Sequence, residues 1–363
     1  MMKHSLGRGI VAGVVLSAIT NSLCAQDKPA PAAPVFDANG TVHVPAFDLP
    51  PSTLISKEAL EGQAMRARMP VRTPSSSEDI AAVRKGLEAM LGPQASGMRK
   101  QYPVDVVDQT IAGIPTRIVT PTDKPFDRKH VLINLHGGAF SLCADACAML
   151  ESVPIASLGG YKVVTVNYRM APEAAHPAGV EDVTTVYREL LKSYKPKSIG
   201  IYGCSAGGAL TAETAAWLPA HGLPQAGAVG IFGAGAVRFG AGDSAWIAAY
   251  IDGTFPPPIR PDGTLPDLTR GYFRNADMTD PIISPALHPD VVAKFPPTLI
   301  ITGTRAMDMS PAIYTNSQLL KAGVRSTLIV GEGMGHCYLY QSSLPEARDA
   351  YQVIVNFFRE NLK

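Results

Sequence analysis

The sequence is poor in charge. Asp, Glu, Lys and Arg make up 17% of its 363 residues, and 32 basic against 31 acidic side chains leave a formal net charge of +1. It has no dense Lys/Arg run and no basic stripe. A nucleic-acid partner needs such a surface to neutralise phosphates, so none is expected. It lacks CxxC, HExxH and His-rich runs, which leaves no metal site to predict. Of its five cysteines, the four beyond Cys24 are too few for a disulfide framework in a chain this long. No internal repeat occurs. The apolar run at residues 10–19 is too short for a comfortable membrane span, so no span is expected in the mature protein.

What is abundant is glycine (33), proline (31) and apolar residues (46%). The length suits one large α/β domain with an accessory part. The N-terminus reads as an export signal: basic Lys3, His4 and Arg8, the apolar run, then Asn21-Ser22-Leu23-Cys24-Ala25-Gln26 with cleavage after Ala25. Lipidation at Cys24 and an uncleaved anchor are the alternatives. Each reading puts the catalytic domain outside the cytoplasm, in the periplasm or secreted. Residues 1–25 are thus assigned to the signal peptide and 26–52, rich in Pro and Ala, to a linker or arm. Two helical patterns follow within 53–100: about 56–69, and a second opening at the capping box Ser75-x-x-Glu78 with Ile80, Val83, Leu87 and Met90 or Leu91 on one face.

From 101 onward strands and helices alternate. Strands are predicted at 104–109, 114–120, 131–135, 163–166, 198–202, 228–232, 297–302 and 326–330. Helices are predicted at 146–158, 181–193, 206–218 and 348–358. That rhythm means a mostly parallel sheet flanked by helices on both faces. Residues 235–296 break it, being Pro-rich and aromatic, and read as an insertion that joins the N-terminal helices in a helical cap.

Three patterns carry chemistry. Gly203-Cys204-Ser205-Ala206-Gly207 falls between a strand and a small-residue helix, where a nucleophile elbow belongs. Side chains two residues either side of the serine would collide there, hence the two glycines. The helix N-terminus behind Ser205 favours developing negative charge. His136-Gly137-Gly138-Ala139-Phe140 follows the 131–135 strand, and its glycines let main-chain N–H groups of Gly137 and Gly138 turn into a pocket, with Ala206 N–H as third oxyanion donor. His136 reads as the side chain that holds this loop. Gly335-His336 follows the last strand, in the order expected for a Ser…Asp…His triad. Asp308 is the expected acid, with Asp290 and Glu332 as weaker candidates.

Taken together these residues resemble the bacterial hormone-sensitive-lipase-like esterases, called family IV. The resemblance rests on His136-Gly137-Gly138-Ala139-Phe140, Tyr168-Arg169-Met170-Ala171-Pro172-Glu173, Gly203-Cys204-Ser205-Ala206-Gly207-Gly208, Asp280-Pro281-Ile282-Ile283-Ser284-Pro285 and Gly335-His336, and covers residue 104 to the C-terminus. It implies an α/β-hydrolase fold with a cap, and hydrolysis of small-molecule esters, usually short-chain, without a cofactor. The chain departs from that pattern in three places. Ala139 stands for the third loop glycine, and Cys204 for the Asp usual before the nucleophile. The family's acid position falls on Ala306, with Asp308 two residues later. Glu173 is read as orienting the backbone around the site.

The resemblance implies attack by Ser205 on the ester carbonyl, His336 as base and Asp308 orienting it. Trp246, Tyr250 and Phe273 are candidates for the substrate pocket or for packing within the cap. Cys143 and Cys147, one helical turn apart, either bridge or stay reduced like the other thiols. Cys204 is read as a buried apolar filler, with a thiol pair to Cys337 as the alternative. A non-hydrolytic ligand-binding protein of the same fold and an amidase or peptidase with the same triad are the rival functions. The sequence sets neither the natural ester nor the oligomeric state.

Overall fold

A computed structural model describes residues 33–66, 68, 79–252 and 267–363. The expected signal peptide and the Ser75–Glu78 capping box lie outside the described residues. The chain divides into two units, Met1–Pro50 and Pro51–Lys363. In the first, β1 (Val35–Phe36) pairs antiparallel with β2 (Val42–His43) inside the segment read as a linker.

The second unit begins with α1 (Lys57–Arg66) and α2 (Ile80–Gln101). Asp79 caps α2, its side chain accepting from the Ala81 N–H. Then come β3 (Val104–Ile111), β4 (Ile114–Pro121), β5 (Asp127–Leu135), α3 (Ala146–Gly159), β6 (Tyr161–Val166), α4 (Ala178–Leu190), β7 (Ile199–Cys204), α5 (Ala206–Ala220) and β8 (Ala228–Phe232). The short α6 (Ala248–Asp252) and α7 (Pro289–Val292) lie in the 235–296 stretch. The chain closes with β9 (Thr298–Gly303), α8 (Met309–Lys321), β10 (Ser326–Gly331) and α9 (Pro345–Asn361).

Eight strands form one sheet in the order β10-β9-β8-β7-β5-β6-β4-β3. From β10 to β6 all pairings are parallel, while β4 pairs antiparallel with β6 and with β3. This is the α/β-hydrolase architecture. The apolar runs explain the central strands: every residue of β7, β8 and β9 is buried, as strands covered on both faces require. One core joins Leu132, Met98, Val153, Tyr351 and Phe358; the other joins Ile133, Val183, Leu210, Ile231 and Leu319. Side-chain alternation along β5 separates the two.

The strand order reverses at β5, which has β6 on one side and β7 on the other. Loops leaving the carboxyl ends of β5 and β7 diverge at this switch point and leave a crevice between them. The two glycine-rich motifs are those loops.

Candidate active site

Ser205 sits between β7 and α5 with φ 59° and ψ −122°, a left-handed conformation that an L-residue adopts at a cost. Surrounding contacts hold it there. Its N–H donates to Phe232 O at 2.8 Å on β8. A Cβ on Gly203 would lie 2.1 Å from Leu135 O, and one on Gly207 1.7 Å from the same oxygen. Only glycine lets β7 and α5 pass this close to the end of β5.

His336 Nε2 lies 2.9 Å from Ser205 Oγ and its Nδ1 2.6 Å from Asp308 Oδ1. Asp308 precedes α8 and is fully buried; its other oxygen accepts from Thr302 Oγ1 at 2.5 Å. The structure thus brings Ser205, His336 and Asp308 into one hydrogen-bonded line, with Ala306 buried at the position where the family's acid usually falls. Asp290 lies on α7, and Glu332 in the loop before His336. The loop bearing His336 is held from α1, where Gln63 Nε2 donates to Gly333 O at 2.9 Å.

The glycine loop differs from expectation at one donor. The Gly137 N–H donates to Glu151 Oε1 at 2.8 Å, so it is spent on the fold and cannot serve an oxyanion. The N–H groups of Gly138, Ala139 and Ala206 donate to no atom of the described residues. Gly138 (φ 116°) admits no side chain, since a Cβ would meet Leu142 O at 2.0 Å, and Ala139 (φ 53°) continues the left-handed turn. His136 is buried with Nδ1 2.7 Å from Gly137 O; the carbonyl can only accept, so Nδ1 carries the proton. Burial lowers its pKa to about 4, which keeps the ring neutral. The ring stacks on Tyr168, whose hydroxyl donates to His136 O at 2.7 Å.

The family comparison matches an α/β-hydrolase fold over residues 132–340, more than half of the chain. The chain belongs to the α/β-hydrolase family. It is 30% identical over 237 residues to an acetyl-hydrolase of Streptomyces hygroscopicus, spanning 63% of this chain and 75% of that one. Among solved structures it resembles esterase E25 (TM-score 0.75, 26% identity, 88% of this chain and 99% of that one). It also resembles an esterase of the bacterial hormone-sensitive lipase family (TM-score 0.71, 25% identity, 85% and 99%). These likenesses place the hydrolase in the hormone-sensitive-lipase-like branch and make it a carboxylic ester hydrolase.

Of the two states the sequence left open for the cysteines, this hydrolase takes the bridged one. Cys143 bridges Cys147, and Cys204 bridges Cys337, with Cα atoms 5.4 Å and 6.3 Å apart. The pairing of Cys204 with Cys337, the lesser of the two readings offered by the sequence, joins residues 133 apart. They meet because the elbow and the His336 loop converge. Cys204 is therefore a cross-link between the residue before Ser205 and the residue after His336, and not an apolar filler. Gly233 leaves room for it: a Cβ there would lie 2.7 Å from Cys337 Sγ. Closing so long a loop restricts the unfolded chain, so Cys204→Ser with Cys337→Ser is expected to lower unfolding free energy by about 4–5 kcal/mol. Guanidinium unfolding of both proteins checks this; equal midpoints would mean the bridge does not form.

The Tyr168–Glu173 motif frames the glycine loop. Ala171 N–H donates to Phe140 O at 2.8 Å. Arg84 of α2 donates to Ser141 O and Ala171 O and pairs with both Glu173 oxygens, so Glu173 acts through Arg84 on the backbone. Of the aromatic candidates, Trp246 and Tyr250 are 40% and 70% exposed, whereas Phe273 packs edge-on to Phe140 at 5.1 Å. Phe239, which sequence reasoning missed, lies 6.3 Å from the His336 ring. A cavity of about 710 Å³ beside Ser310 is lined by Val237, Met278, Leu287 and Tyr314, with Arg238 at its wall, and none of the three candidate aromatics lines it. Also missed was Glu151, buried under both loops; the one signal was a lone acid in an otherwise uncharged helix. Among the described residues no three His, Cys, Asp or Glu side chains could hold a metal, and no helix is long and apolar enough to cross a membrane.

Proposed function

We propose that the protein is a serine esterase that hydrolyses short-chain carboxylic esters through an acyl-enzyme on Ser205. The hydrogen-bonded line Ser205–His336–Asp308 carries this reading. Ser205 Oγ attacks the ester carbonyl as His336 Nε2 takes its proton. His336 returns that proton to the departing alcohol, leaving the acyl group on Ser205. Water, deprotonated by His336, then releases the acid. Asp308 fixes the His336 tautomer and stabilises its cation. The free N–H groups of Gly138, Ala139 and Ala206 hold the oxyanion.

The acetyl-hydrolase relative supports a small acyl group. The N-terminal helices and the 235–296 stretch are read as the cap over the site. The two disulfides support export, since such bonds persist in oxidising compartments.

The test is hydrolysis of p-nitrophenyl esters from acetate to palmitate. The expected result is the highest kcat/KM at the shortest acyl chains, with a fluorophosphonate adduct confined to Ser205. Preference for palmitate would overturn the short-chain reading. Absence of turnover on every chain would overturn the esterase reading and favour a ligand-binding protein. Faster cleavage of the matching anilide would favour an amidase.

A further inference from the structure

Glu151 is the only charged residue of α3. It is buried, and both of its carboxylate oxygens are fully engaged. Oε1 accepts from Gly137 N–H at 2.8 Å and from Tyr340 OH at 2.7 Å. Oε2 accepts from Asn134 Nδ2 at 2.8 Å and from Cys204 N–H at 3.1 Å. Asn134 is fixed in turn, its Oδ1 accepting from Thr165 Oγ1 at 2.9 Å. Tyr202 OH donates to the Glu151 main-chain carbonyl.

Two of those donors are main-chain groups of the two loops that build the site. Gly137 immediately precedes Gly138 and Ala139. Cys204 immediately precedes Ser205. One carboxylate therefore bonds both loops, which leave the ends of adjacent strands β5 and β7. Burying a carboxylate without a paired cation is costly, and here the four donors that offset the cost include one main-chain N–H from each loop.

We propose that Glu151 is a positioning residue: by bonding the main chain of the glycine loop and of the elbow at once, it sets the distance between the oxyanion donors and Ser205. This rests on the esterase reading above. The charged form suits this role best, since both oxygens then accept without carrying a hydrogen. Amide N–H groups can only donate, so any group that presents an N–H in place of either oxygen loses Gly137 or Cys204. The titratable side chains facing Glu151 are the Tyr340 hydroxyl from the 338–340 turn, Tyr202 from β7 and Tyr168 beyond β6, all neutral. Among the described residues no Lys or Arg from α2, β5 or α9 offsets its charge. Burial pushes the Glu151 pKa up to about 7, against the pull of its four donors. Because the folded-state value lies above the ordinary one, the protonated form accumulates below pH 7, where the bonding to both loops weakens.

The test compares wild type, Glu151→Gln and Tyr340→Phe on p-nitrophenyl acetate across pH. Glu151→Gln is near-isosteric but must turn its amide nitrogen toward Gly137 or Cys204. The expected result is a kcat 10- to 100-fold lower, with KM changed by less than about threefold, since the loss falls on the transition state. The acid limb of kcat should also change shape, because Glu151 no longer adds a titrating carboxyl to the one step that His336 contributes as base. A kcat within threefold of wild type with an unchanged pH profile would overturn the proposal. Should Glu151→Gln fail to fold, Tyr340→Phe decides. It keeps the carboxylate and both main-chain bonds while removing one donor to the charged form, so the acid limb should move to higher pH by about half a unit or more. An unmoved limb would overturn the proposal. A wild type inactive on every ester would overturn the functional reading and this inference with it, whereas an active wild type matched by Glu151→Gln overturns only the inference.

Discussion

Ser205→Ala is expected to lower kcat on p-nitrophenyl acetate by about 10⁶, and Asp308→Asn by about 10⁴. The two losses differ because the residues act at different points. Removing the Ser205 hydroxyl removes the attacking atom and leaves only what the oxyanion donors and binding supply. Asp308→Asn keeps the shape but removes the buried charge 2.6 Å from His336 Nδ1. An amide nitrogen turned toward Nδ1 would leave that atom without its proton and put a proton on Nε2, where Ser205 Oγ needs an acceptor. An amide oxygen in that place would still fail to stabilise the imidazolium. Asp308 lies two residues beyond the position where the resemblance places the acid, so the measurement has a real alternative. If Asp308→Asn retained more than about a tenth of wild-type kcat, the acid would have to be found elsewhere. Stopped-flow release of p-nitrophenol would show at which step the loss falls. With acylation impaired the burst should disappear from Asp308→Asn.

Gly207→Ala is expected to abolish the fold or to destabilise it by more than about 4–5 kcal/mol. Its Cβ would lie 1.7 Å from Leu135 O, 2.5 Å from Leu135 C and 2.9 Å from His136 O. These are main-chain atoms at the end of β5, a strand held on both sides by β6 and β7. No rotamer change relieves such a clash, and shifting the backbone would break the sheet at its centre. Gly86→Ala is the matching control. Gly86 lies exposed inside α2 with nothing within 4 Å of its Cβ position, so the substitution should raise stability by about 0.5–1 kcal/mol through helix propensity alone. Thermal unfolding of the two variants separates the readings. If Gly207→Ala unfolded within a few degrees of wild type, the packing of the elbow against β5 would be wrong.

The strands were legible where their apolar runs are short and bounded by turns, as at 131–135 and 228–232, because a strand buried on both faces has no polar alternative. The ends were less so. The strand predicted at 131–135 begins at Asp127, and the helix predicted at 348–358 begins at Pro345. Polar residues at an element's edge carry no periodicity, and proline suits a first helical turn. The helix that carries Arg84 runs on through Pro93 to Gln101, past the end of its apolar stripe, since α2 packs against α3 and its later residues include the buried Ala95 and Met98.

By itself the sequence determined the sheet, the elbow and the residue types of the site. Gly203 and Gly207 leave a short local motif around Ser205, although the atoms that forbid a side chain there belong to the end of β5, whereas glycine at 138 answers a clash with Leu142 four residues on. It also carried the order Ser205, Asp308, His336. What only the tertiary structure decided was which distant groups meet. That Asp308, two residues beyond the family's acid position, reaches His336 Nδ1 is one such contact. Gly137 gives its N–H to Glu151 and not to the pocket. Cys204 and Cys337 join across 133 residues, and Glu151 gathers donors from β5, β7 and the 338–340 turn. Each of these is a contact between separate loops at the carboxyl ends of parallel strands, where proximity is set by strand order in the sheet and leaves no periodic trace along the chain.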